Sequence, residues 1–487
     1  MQRKVSILIL FFGMSISCFS QDFKLEIEKI KKDITESNFK SAEEKLENLY
    51  FVTSTNIEVN WLYAFTLSNL GKFNKSKKLY ESTIQMLPNS NELKFEYIQT
   101  LLKMGLLSEA LETIQFLKNT DFDKSQVLLT EAEIYYWSSN YRKANESISK
   151  IDSIYPNNSV TRELKSKINE AQSLSISFET NYLNDNQPLE SISEKLTFGK
   201  MQSYLLHPIL EIKNENISNQ SQIIDVCVGN EMLFTSIGLS TQFKFGVEYN
   251  NVTENKQLIG NVSLHKSLTK RSKLSFNFER LTYKSTLEST LTDLLYHKGS
   301  IALNLGDYDK SLLHVGYEIN AFEDQNVISN FGAWYISRPL FNSDFKVQLG
   351  YGLGYSDSKK STYTPIENAY SNPTITSKYD LYYTPNNQLV NSIVLVLNYP
   401  FSPRWNLNLK GNYGFYATAN SPEYVASNGS NSNIIYTENK TEFNPYDANL
   451  NLVYDFNNKW SFSIYGSYFN TYFYDSYNTG FRLNFKL

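Results

Sequence analysis

The sequence predicts an α + β multidomain protein, with an N-terminal α-helical solenoid followed by a C-terminal antiparallel transmembrane β-barrel of about 16 strands. A 34-residue period runs from about residue 23 to residue 172. From residue 173 to residue 487 the period changes to two, in segments of about ten residues. The chain contains 35 Tyr and 31 Phe, yet its mean hydropathy is negative, which favours amphipathic strands over apolar spanning helices.

The first 20 residues are typical of a secretory signal peptide. Arg3 and Lys4 precede the apolar run Val5–Met14, and a small-residue cleavage site ends at Ser20. Cleavage after Ser20 is the prediction, and lipidation of Cys18 is the alternative. Loss of the two cations leaves 44 basic residues, out of 46, against 50 acidic ones. An acidic mature chain predicts no nucleic-acid partner.

The mature chain offers few residues for metal or redox chemistry. Only Cys227 remains after cleavage, so the sequence predicts no intramolecular disulfide. The four histidines do not have metal-ligand spacing: His207, His265, His297 and His314. We therefore predict no metal site, no cofactor and no catalytic residue.

Residues 21–172, after the signal peptide, form the predicted repeat domain. One column holds a large apolar residue at Phe39, Phe73, Leu107 and Tyr141. A second column, three residues later, holds a small residue at Ala42, Ser76, Ala110 and Ala144. The small residues let two antiparallel helices approach closely, and the large residues fill the gap between neighbouring pairs. This spacing predicts four helix pairs, and the polar segment 161–172 predicts a capping helix.

Turn residues mark the helix ends. Glycine occupies the turn within two repeats, at Gly71 and Gly105, and proline closes two repeats, at Pro88 and Pro156. Ser37 and Ser139 stand in the other glycine positions. This pattern resembles the tetratricopeptide repeat family. The resemblance implies a partner bound along a concave face, and a simple spacer is the alternative.

Residues 173–487 form the predicted barrel domain. Alternation is clearest in 344–356, 404–416 and 460–464, where one face is apolar and the other polar. Strands of about ten residues tilted by about 40° span about 25 Å, which matches the apolar band of an outer-membrane barrel. Strands of soluble proteins are commonly about 5 to 6 residues long. Aromatic residues near the predicted strand ends fit interfacial girdles: Tyr399, Trp405, Tyr454 and Trp460.

Connection lengths give the direction of the strands. Short connections are predicted near 267–271, 306–309, 339–343, 400–403 and 457–459, and long ones at 357–388 and 417–445. Short turns face the periplasm in such barrels, and long loops face outwards. Twelve strands then fit after residue 241 and four or five before it. Only an even total keeps residues 21–172 and the C-terminus on one side, so the prediction is 16.

The C-terminal residues resemble the insertion signal that the outer-membrane assembly machinery reads. A polar residue, a glycine and two apolar residues carry the likeness: Asn478, Gly480, Leu483 and Phe485. This resemblance implies that the assembly machinery and outer-membrane lipid are partners. It also implies residence in the cell outer membrane of a Gram-negative bacterium, with residues 21–172 in the periplasm.

The order of signal peptide, repeats and barrel resembles the outer-membrane exporters of polysaccharide, of the cellulose synthase C and poly-N-acetylglucosamine porin type. Residues 383–385 are similar to an element of the cellulose exporter, although Asn386 stands where that family has glutamine, and residues 178–192 resemble the YaiO group. The likeness implies a periplasmic protein or a polysaccharide as partner. A lumen lined with Asn, Ser, Gly and aromatic residues suits a neutral sugar chain.

Two other functions stay open at this point. One is a scaffold or assembly factor that binds partner proteins through its repeats and has a closed barrel. The other is an outer-membrane enzyme, although the sequence contains no serine within a glycine elbow. Of the three, guidance of polysaccharide through a pore is the prediction.

Overall fold

The computed structural model describes residues 23–156, 159–186, 189–218, 220–269, 271–307, 310–341, 344–364, 378–379, 381–426, 434–471 and 475–487. The predicted signal peptide, residues 1–20, lies outside the described residues. Contacts divide the chain into two compact units, with the division after Lys165. Each unit is considered by itself.

The first unit is built from antiparallel helix pairs. Its helices are α1 (residues 23–35), α2 (Phe39–Val52), α3 (Ile57–Asn69), α4 (Phe73–Met86), α5 (Asn91–Met104), α6 (Leu107–Lys118), α7 (Lys124–Trp137) and α8 (Tyr141–Ile154), with α9 (Ser159–Ala171) following. The first helices of successive pairs begin at residues 23, 57, 91 and 124, so the predicted repeat is confirmed. Among the described helices, none is both long and apolar enough to cross a bilayer.

Side chains cap the first helix of three successive repeats. Asn56 accepts a hydrogen bond from the Val59 amide at 3.1 Å, and Ser90 accepts one from the Leu93 amide at 3.2 Å. Asp123 accepts from the amides of the residues two and three positions after it. These caps satisfy amide groups that have no partner within their own helix. Each repeat therefore begins at a position that its own sequence defines.

The predicted packing residues lie between the helices of each pair. The column of small residues is completely buried, at Ala42, Ser76, Ala110 and Ala144. The Ser76 hydroxyl donates to the carbonyl of Ala64 at 2.7 Å, which satisfies its polar group in the core. Tyr141 is also buried, whereas Phe73 is partly exposed. Larger side chains in the small-residue column would separate the two helices.

The repeat turns share one backbone conformation. Gly71 and Gly105 have φ angles of 75° and 76°, and Ser37 and Ser139 take the same left-handed conformation at 62° and 56°. A side chain in that region carries a steric cost that glycine avoids. Pro88 and Pro156 each lie two residues beyond the end of a helix. Proline is tolerated there because the helix has already ended.

The second unit is a closed antiparallel barrel. Its strands are β1 (Leu174–Asp185), β2 (Glu190–Lys200), β3 (His207–Ile217), β4 (Ser221–Phe234), β5 (Leu239–Asn250), β6 (Lys256–Thr269), β7 (Ser272–Thr282), β8 (Leu295–Gly306), β9 (Leu312–Phe322), β10 (Val327–Ile336) and β11 (Lys346–Ser358). A small separate pair, β12 (Tyr363–Thr364) and β13 (Lys378–Tyr379), is followed by β14 (Gln388–Ser402), β15 (Trp405–Ala426), β16 (Ile434–Phe443), β17 (Tyr446–Asp455), β18 (Trp460–Asn470) and β19 (Asp475–Lys486).

The strand number agrees with the prediction. β15 pairs with β17 over Trp405–Tyr413 and with β16 over Ala417–Ala426, so β16 and β17 occupy one position in the wall. Counted over the described residues, the barrel thus has 16 positions, and β19 pairs with β1 to close it. β1 begins and β19 ends at the same end, here called the proximal end. The opposite end is called the distal end.

One predicted loop is wrong. Residues 417–445 were expected to form a long connection, but β15 extends to Ala426 and β16 begins at Ile434. This extended hairpin is rich in Asn, Thr, Ser and Glu, and alternation between an apolar and a polar face is absent from it. A strand pair with two polar faces has the composition of a loop. Amino-acid composition reflects contact with solvent and does not show whether the backbones of two strands form hydrogen bonds.

The outer face of the barrel is apolar between two aromatic girdles. At the proximal end, the rings of Trp405 and Tyr454 lie 4.5 Å apart and those of Trp460 and Phe485 lie 4.1 Å apart. At the distal end, tyrosine pairs have rings 5.9 and 5.7 Å apart: Tyr182 with Tyr477, and Tyr446 with Tyr468. Exposed aliphatic side chains such as Ile393 and Ile464 lie between them. This pattern fits lipid-facing strands.

Gly480 lies at the closure of the barrel. It pairs with Tyr465 on β18 and with Asn181 on β1. The Tyr465 ring crosses above Gly480, and its hydroxyl lies 3.0 Å from both Glu179 Oε1 and the Thr180 carbonyl. A Cβ at position 480 would clash first with the Thr180 carbonyl, and it would lie 2.6 Å from the tyrosine hydroxyl. Glycine at this position therefore lets a β18 side chain reach β1.

The left-handed turn gives a first prediction. Ser37→Gly should stabilise the repeats by about 0.5–1 kcal/mol, because glycine removes the steric cost at an exposed position. Chemical unfolding of the full chain in detergent, followed by the helical circular dichroism signal, measures this change. The matched variant Gly71→Ser should shift the free energy of unfolding in the opposite direction. Equal midpoints for both variants would contradict the assignment.

The closure gives a second prediction. Gly480→Ala should destabilise the barrel by about 1–3 kcal/mol, because the added methyl group displaces the Tyr465 ring. Urea unfolding of the barrel in lipid vesicles, monitored by its heat-modifiable migration on gels, reports the loss. Gly466→Ala is the control, since a Cβ there lies 3.6 Å from its nearest neighbour, the Asn478 carbonyl. Similar losses in the two variants would refute a special role for position 480.

Candidate functional site in the barrel lumen

Side chains that alternate with the exposed apolar residues point into the lumen. On β1 through β9, together with Arg482 on the adjoining β19, these inward positions carry opposite charges in pairs. Lys195 Nζ and Arg482 Nη2 lie 2.9 and 2.8 Å from the carboxylate of Glu179. Further pairs are Lys213–Glu215 at 2.6 Å, Lys244–Glu211 at 3.2 Å and Lys298–Glu318 at 3.0 Å. We call this side of the lumen the charged wall.

Amide and hydroxyl groups are frequent on the inward face of β11, β15, β17 and β18. The inward face of β14, between β11 and β15, carries Val390, Val394 and Val396 beside Ser392 and Asn398. We call these five strands the amide wall. A cavity of about 540 Å³ lies against it. Its polar lining includes Gln348, Asn398, Asn408, Asn449, Asn451 and Ser467. Lys346 and Lys410 add positive charge at the same cavity. Groups of this kind form hydrogen bonds in either direction, so they suit a ligand rich in hydroxyl groups.

The two walls correct one expectation. The expected lumen lining of Asn, Ser, Gly and aromatic residues fits the amide wall in part, since Lys346 and Lys410 also lie there, but it is wrong for β1 through β9. The reason is register, because Glu179 and Arg482 are separated by 303 residues and become partners only when the barrel closes. Paired charges cancel within the wall. A passing polymer therefore meets dipoles there more than net charge.

A tryptophan lies between the two walls. The rings of Trp334 on β10 and His314 on β9 stack with centroids 5.0 Å apart, and His314 Nδ1 lies 2.8 Å from Asn304 Oδ1. Lys410 Nζ, from β15, lies 4.8 Å from the centroid of the same tryptophan. The lysine crosses β14 and β11 to reach the ring. This crossing is possible because β11 carries glycine at inward positions, including Gly352 beside Trp334.

Two connections meet at the distal end. The connection between β7 and β8 contains the short helix α10 (Leu287–Thr292), and Leu287 packs against Leu189, Ile217 and Ile223 on the far side of the charged wall. The connection that precedes β14 contributes Leu381, whose carbonyl accepts a hydrogen bond from Thr286. Together the described parts of these connections, 283–294 and 381–387, form what we call the distal bridge.

Aromatic rings hold the two halves of the distal bridge together. Tyr382 is completely buried and stacks on Phe322 with centroids 3.9 Å apart. Tyr283 contacts the edges of Tyr296, Phe322 and Tyr382 at centroid distances of 5.5 to 5.9 Å. The Tyr382 hydroxyl donates to Asp324 at 2.6 Å, and burial raises the pKa of this phenol. Contacts of this density favour a fixed position for the connections.

Lys284 is the electrostatic anchor of the distal bridge. Its ammonium group lies 2.7 Å from Glu248, 3.6 Å from Asp225 and 3.8 Å from Glu215, and the side chain is 17% exposed. Burial lowers the pKa of Lys284, but the three carboxylates outweigh burial and the net pKa is raised. The amine therefore stays charged. Its removal would leave three inward carboxylates with less compensation.

A second polar contact fixes the end of α10. Asn250 Nδ2 donates to Asp293 Oδ1 at 2.6 Å and to the Thr290 carbonyl at 2.8 Å. Thr253 and Asn255 donate to the other oxygen of the same carboxylate. The bridge is thus tied to the connection between β5 and β6 as well as to the wall below it.

The residues of the predicted insertion signal divide between the two faces of β19. Leu483 and Phe485 lie on the outer face, which also carries the exposed Phe481, and Asn478 and Gly480 face the lumen. The structure does not bring them together as one site. The insertion role stays a prediction.

The histidines predicted to be unrelated to metal binding lie on separate strands, and the described residues contain no group of three or more side chains suited to a metal ion.

The sequence also missed several lumen residues. Trp334, Lys284 and Asp293 were not identified in advance. Lys284 lies two residues beyond the end of β7, and no pattern in the surrounding sequence distinguishes it.

Comparisons with known proteins give structural likeness only. No family model matches the chain, and no curated protein matches its sequence. A solved structure described as a bacterial polysaccharide outer membrane secretin is 10% identical, covers 65% of this chain and 99% of its own, and has a TM-score of 0.48. OmpT from Vibrio cholerae, in a loop-deletion form, is 9% identical over 64% of this chain and 98% of its own, with a TM-score of 0.34. YrrB, described as a TPR protein with an unusual peptide-binding site, is 18% identical over 28% of this chain and 71% of its own, with a TM-score of 0.27.

Proposed function

We propose that this protein is an outer-membrane pore that guides a polysaccharide to the cell surface, with residues 21–172 in the periplasm. It would then belong with the exporters of the cellulose synthase C or poly-N-acetylglucosamine porin type, or with the YaiO group. The observation that carries the proposal is the cavity against the amide wall. That cavity has a volume of about 540 Å³ and a mixed lining, in which five amide side chains and a serine lie beside two lysines and apolar side chains such as Val396 and Leu450.

The amide wall supports a mainly neutral polymer. Sugar hydroxyl groups both donate and accept, so they exchange partners along a row of amides without a large change in free energy. The charged wall is compensated internally and adds no strong net attraction. Such a lumen guides a chain that is driven from elsewhere. The proposal includes no reaction, and we propose that the protein is not an enzyme; a lipid-deacylation assay on the purified protein tests that part.

A second function is favoured by the distal bridge. Two connections meet across the distal end and are held by Lys284, Asp293 and the Tyr382 cluster. A barrel whose distal opening is obstructed in this way suits a scaffold that binds partner proteins through its repeats. The two functions differ in whether the bridge moves.

The amide wall gives a third prediction. The double variant Asn398→Leu and Asn408→Leu should weaken binding of a neutral glucose oligomer by about 30-fold, because two side chains lose hydrogen bonds of about 1 kcal/mol each. Blockage of single-channel current by cellopentaose in planar bilayers measures this affinity. The control is Asn277→Leu, an inward asparagine on the charged wall that donates to Ser300. Equal blockage of all three proteins would remove the polysaccharide proposal.

The distal bridge gives a fourth prediction. Lys284→Met should raise the single-channel conductance severalfold, because the bridge loses its ion pairs to three carboxylates. Conductance is compared in planar bilayers with wild type and with Lys298→Met, which removes a lumen cation that pairs with Glu318 but lies outside the bridge. A high conductance in wild type, unchanged by Lys284→Met, would show that the bridge does not restrict the lumen.

A further inference from the structure

The outer face of the barrel carries a group of basic and hydrogen-bonding side chains at one place. Arg280 on β7 lies on the same face as Phe276 and Phe278, which are each 44% exposed. His297 on β8 pairs with Arg280 across the strands and shares its face with the exposed Ile301. Both residues are thus directed away from the lumen. They lie at the distal edge of the apolar surface.

Hydrogen bonds fix the arginine in place. Arg280 Nε donates to the Leu258 carbonyl at 2.9 Å, and Nη1 lies 3.0 Å from His297 Nε2. The imidazole of His297 in turn stacks on the Phe278 ring with centroids 6.0 Å apart. A guanidinium held in this way loses little conformational entropy when it binds an anion.

A lysine on the neighbouring strand adds a second cation to Arg280. Lys256 begins β6 and is exposed, on the same face as Leu258, which is 69% exposed. Glu254, in the preceding connection, is the nearest acidic residue along the chain. At two other places this boundary carries tyrosine pairs, Tyr182 with Tyr477 and Tyr446 with Tyr468. Across β6, β7 and β8 it carries Lys256, Arg280 and His297 instead.

We propose that Arg280, His297 and Lys256 form a binding site for the phosphate group of a lipid in the distal leaflet. A phosphate matches the fork of an arginine, and cations placed beside an apolar surface bind lipids whose headgroup is anionic. The acyl chains of the same lipid would lie along Phe276, Phe278 and Leu258. The inference rests on the proposed outer-membrane location, where the occupant is a phosphorylated glycolipid of the outer leaflet.

Lipid binding by the purified full-length mature protein tests this site. Native mass spectrometry in detergent counts bound lipid A, either with both of its phosphates or after their enzymatic removal. Wild type should retain the phosphorylated form about tenfold better than the dephosphorylated form, and Arg280→Gln with His297→Gln should abolish that preference. Lys266→Gln is the matched control, because Lys266 lies on the same face of β6 towards the proximal end.

The outcomes separate the site from the proposed function. Equal retention of both lipids by wild type, or an unchanged preference in the double variant, would overturn the site even if the pore exports polysaccharide. A preference lost only in the double variant supports the site even if no export occurs. Should the double variant fail to fold, as judged by circular dichroism, Lys256→Gln provides the second variant and should lower the preference severalfold.

Discussion

The pairing of β1 with β19 is the constraint on which the rest of the barrel depends. It runs in register from Ser175 opposite Lys486 to Asp185 opposite Ser476. Without it, two strand edges would expose backbone groups within the bilayer, where each unsatisfied group costs several kcal/mol. Closure also determines which side chains face the lumen and which face outwards. It places Glu179 and Arg482 inside and Phe178 and Phe481 outside. Lumen chemistry and lipid contact follow from this single register.

The charge pattern of the lumen follows from closure. An inward side chain on β1 through β9 lies in a partly dry space, so an unpaired charge there is costly and a paired one is tolerated. The adjacent strand supplies the partner of Glu179 and of Glu318. The same strand supplies Lys213 to Glu215, and Lys244 reaches Glu211 from two strands away. The neutral side chains of the amide wall need no such pairing, because burial of a neutral polar group costs less free energy than burial of a charge. The division between the two walls thus reflects two ways to make a barrel interior polar.

The sequence predicted the repeat period, the strand number and the aromatic girdles, because each depends on a local period or on the bilayer thickness. It did not predict contacts that depend on register across distant strands. Ser37 could be assigned to a turn from its position, but the ion pair of Glu179 with Arg482 joins the two ends of the barrel. Residues 426 and 434 were assigned to a loop because both faces of that hairpin are polar. Lys284 carries no periodic signal at all, since only the folded connection brings three carboxylates to it.

The distal bridge links the structure to the choice between pore and scaffold. Moving it away would separate Lys284 from Glu248 and Asp225 and leave these carboxylates with less compensation, and breaking a buried ion pair costs about 3–5 kcal/mol. A cost of that size corresponds to an open fraction of about one in 10² to 10⁴ without other contributions. A pore with this bridge therefore needs a ligand or partner that binds the open form better than the closed one. A polymer that enters from the proximal end and replaces the lost hydrogen bonds would meet that requirement. A scaffold has no such requirement, because its bridge stays in place.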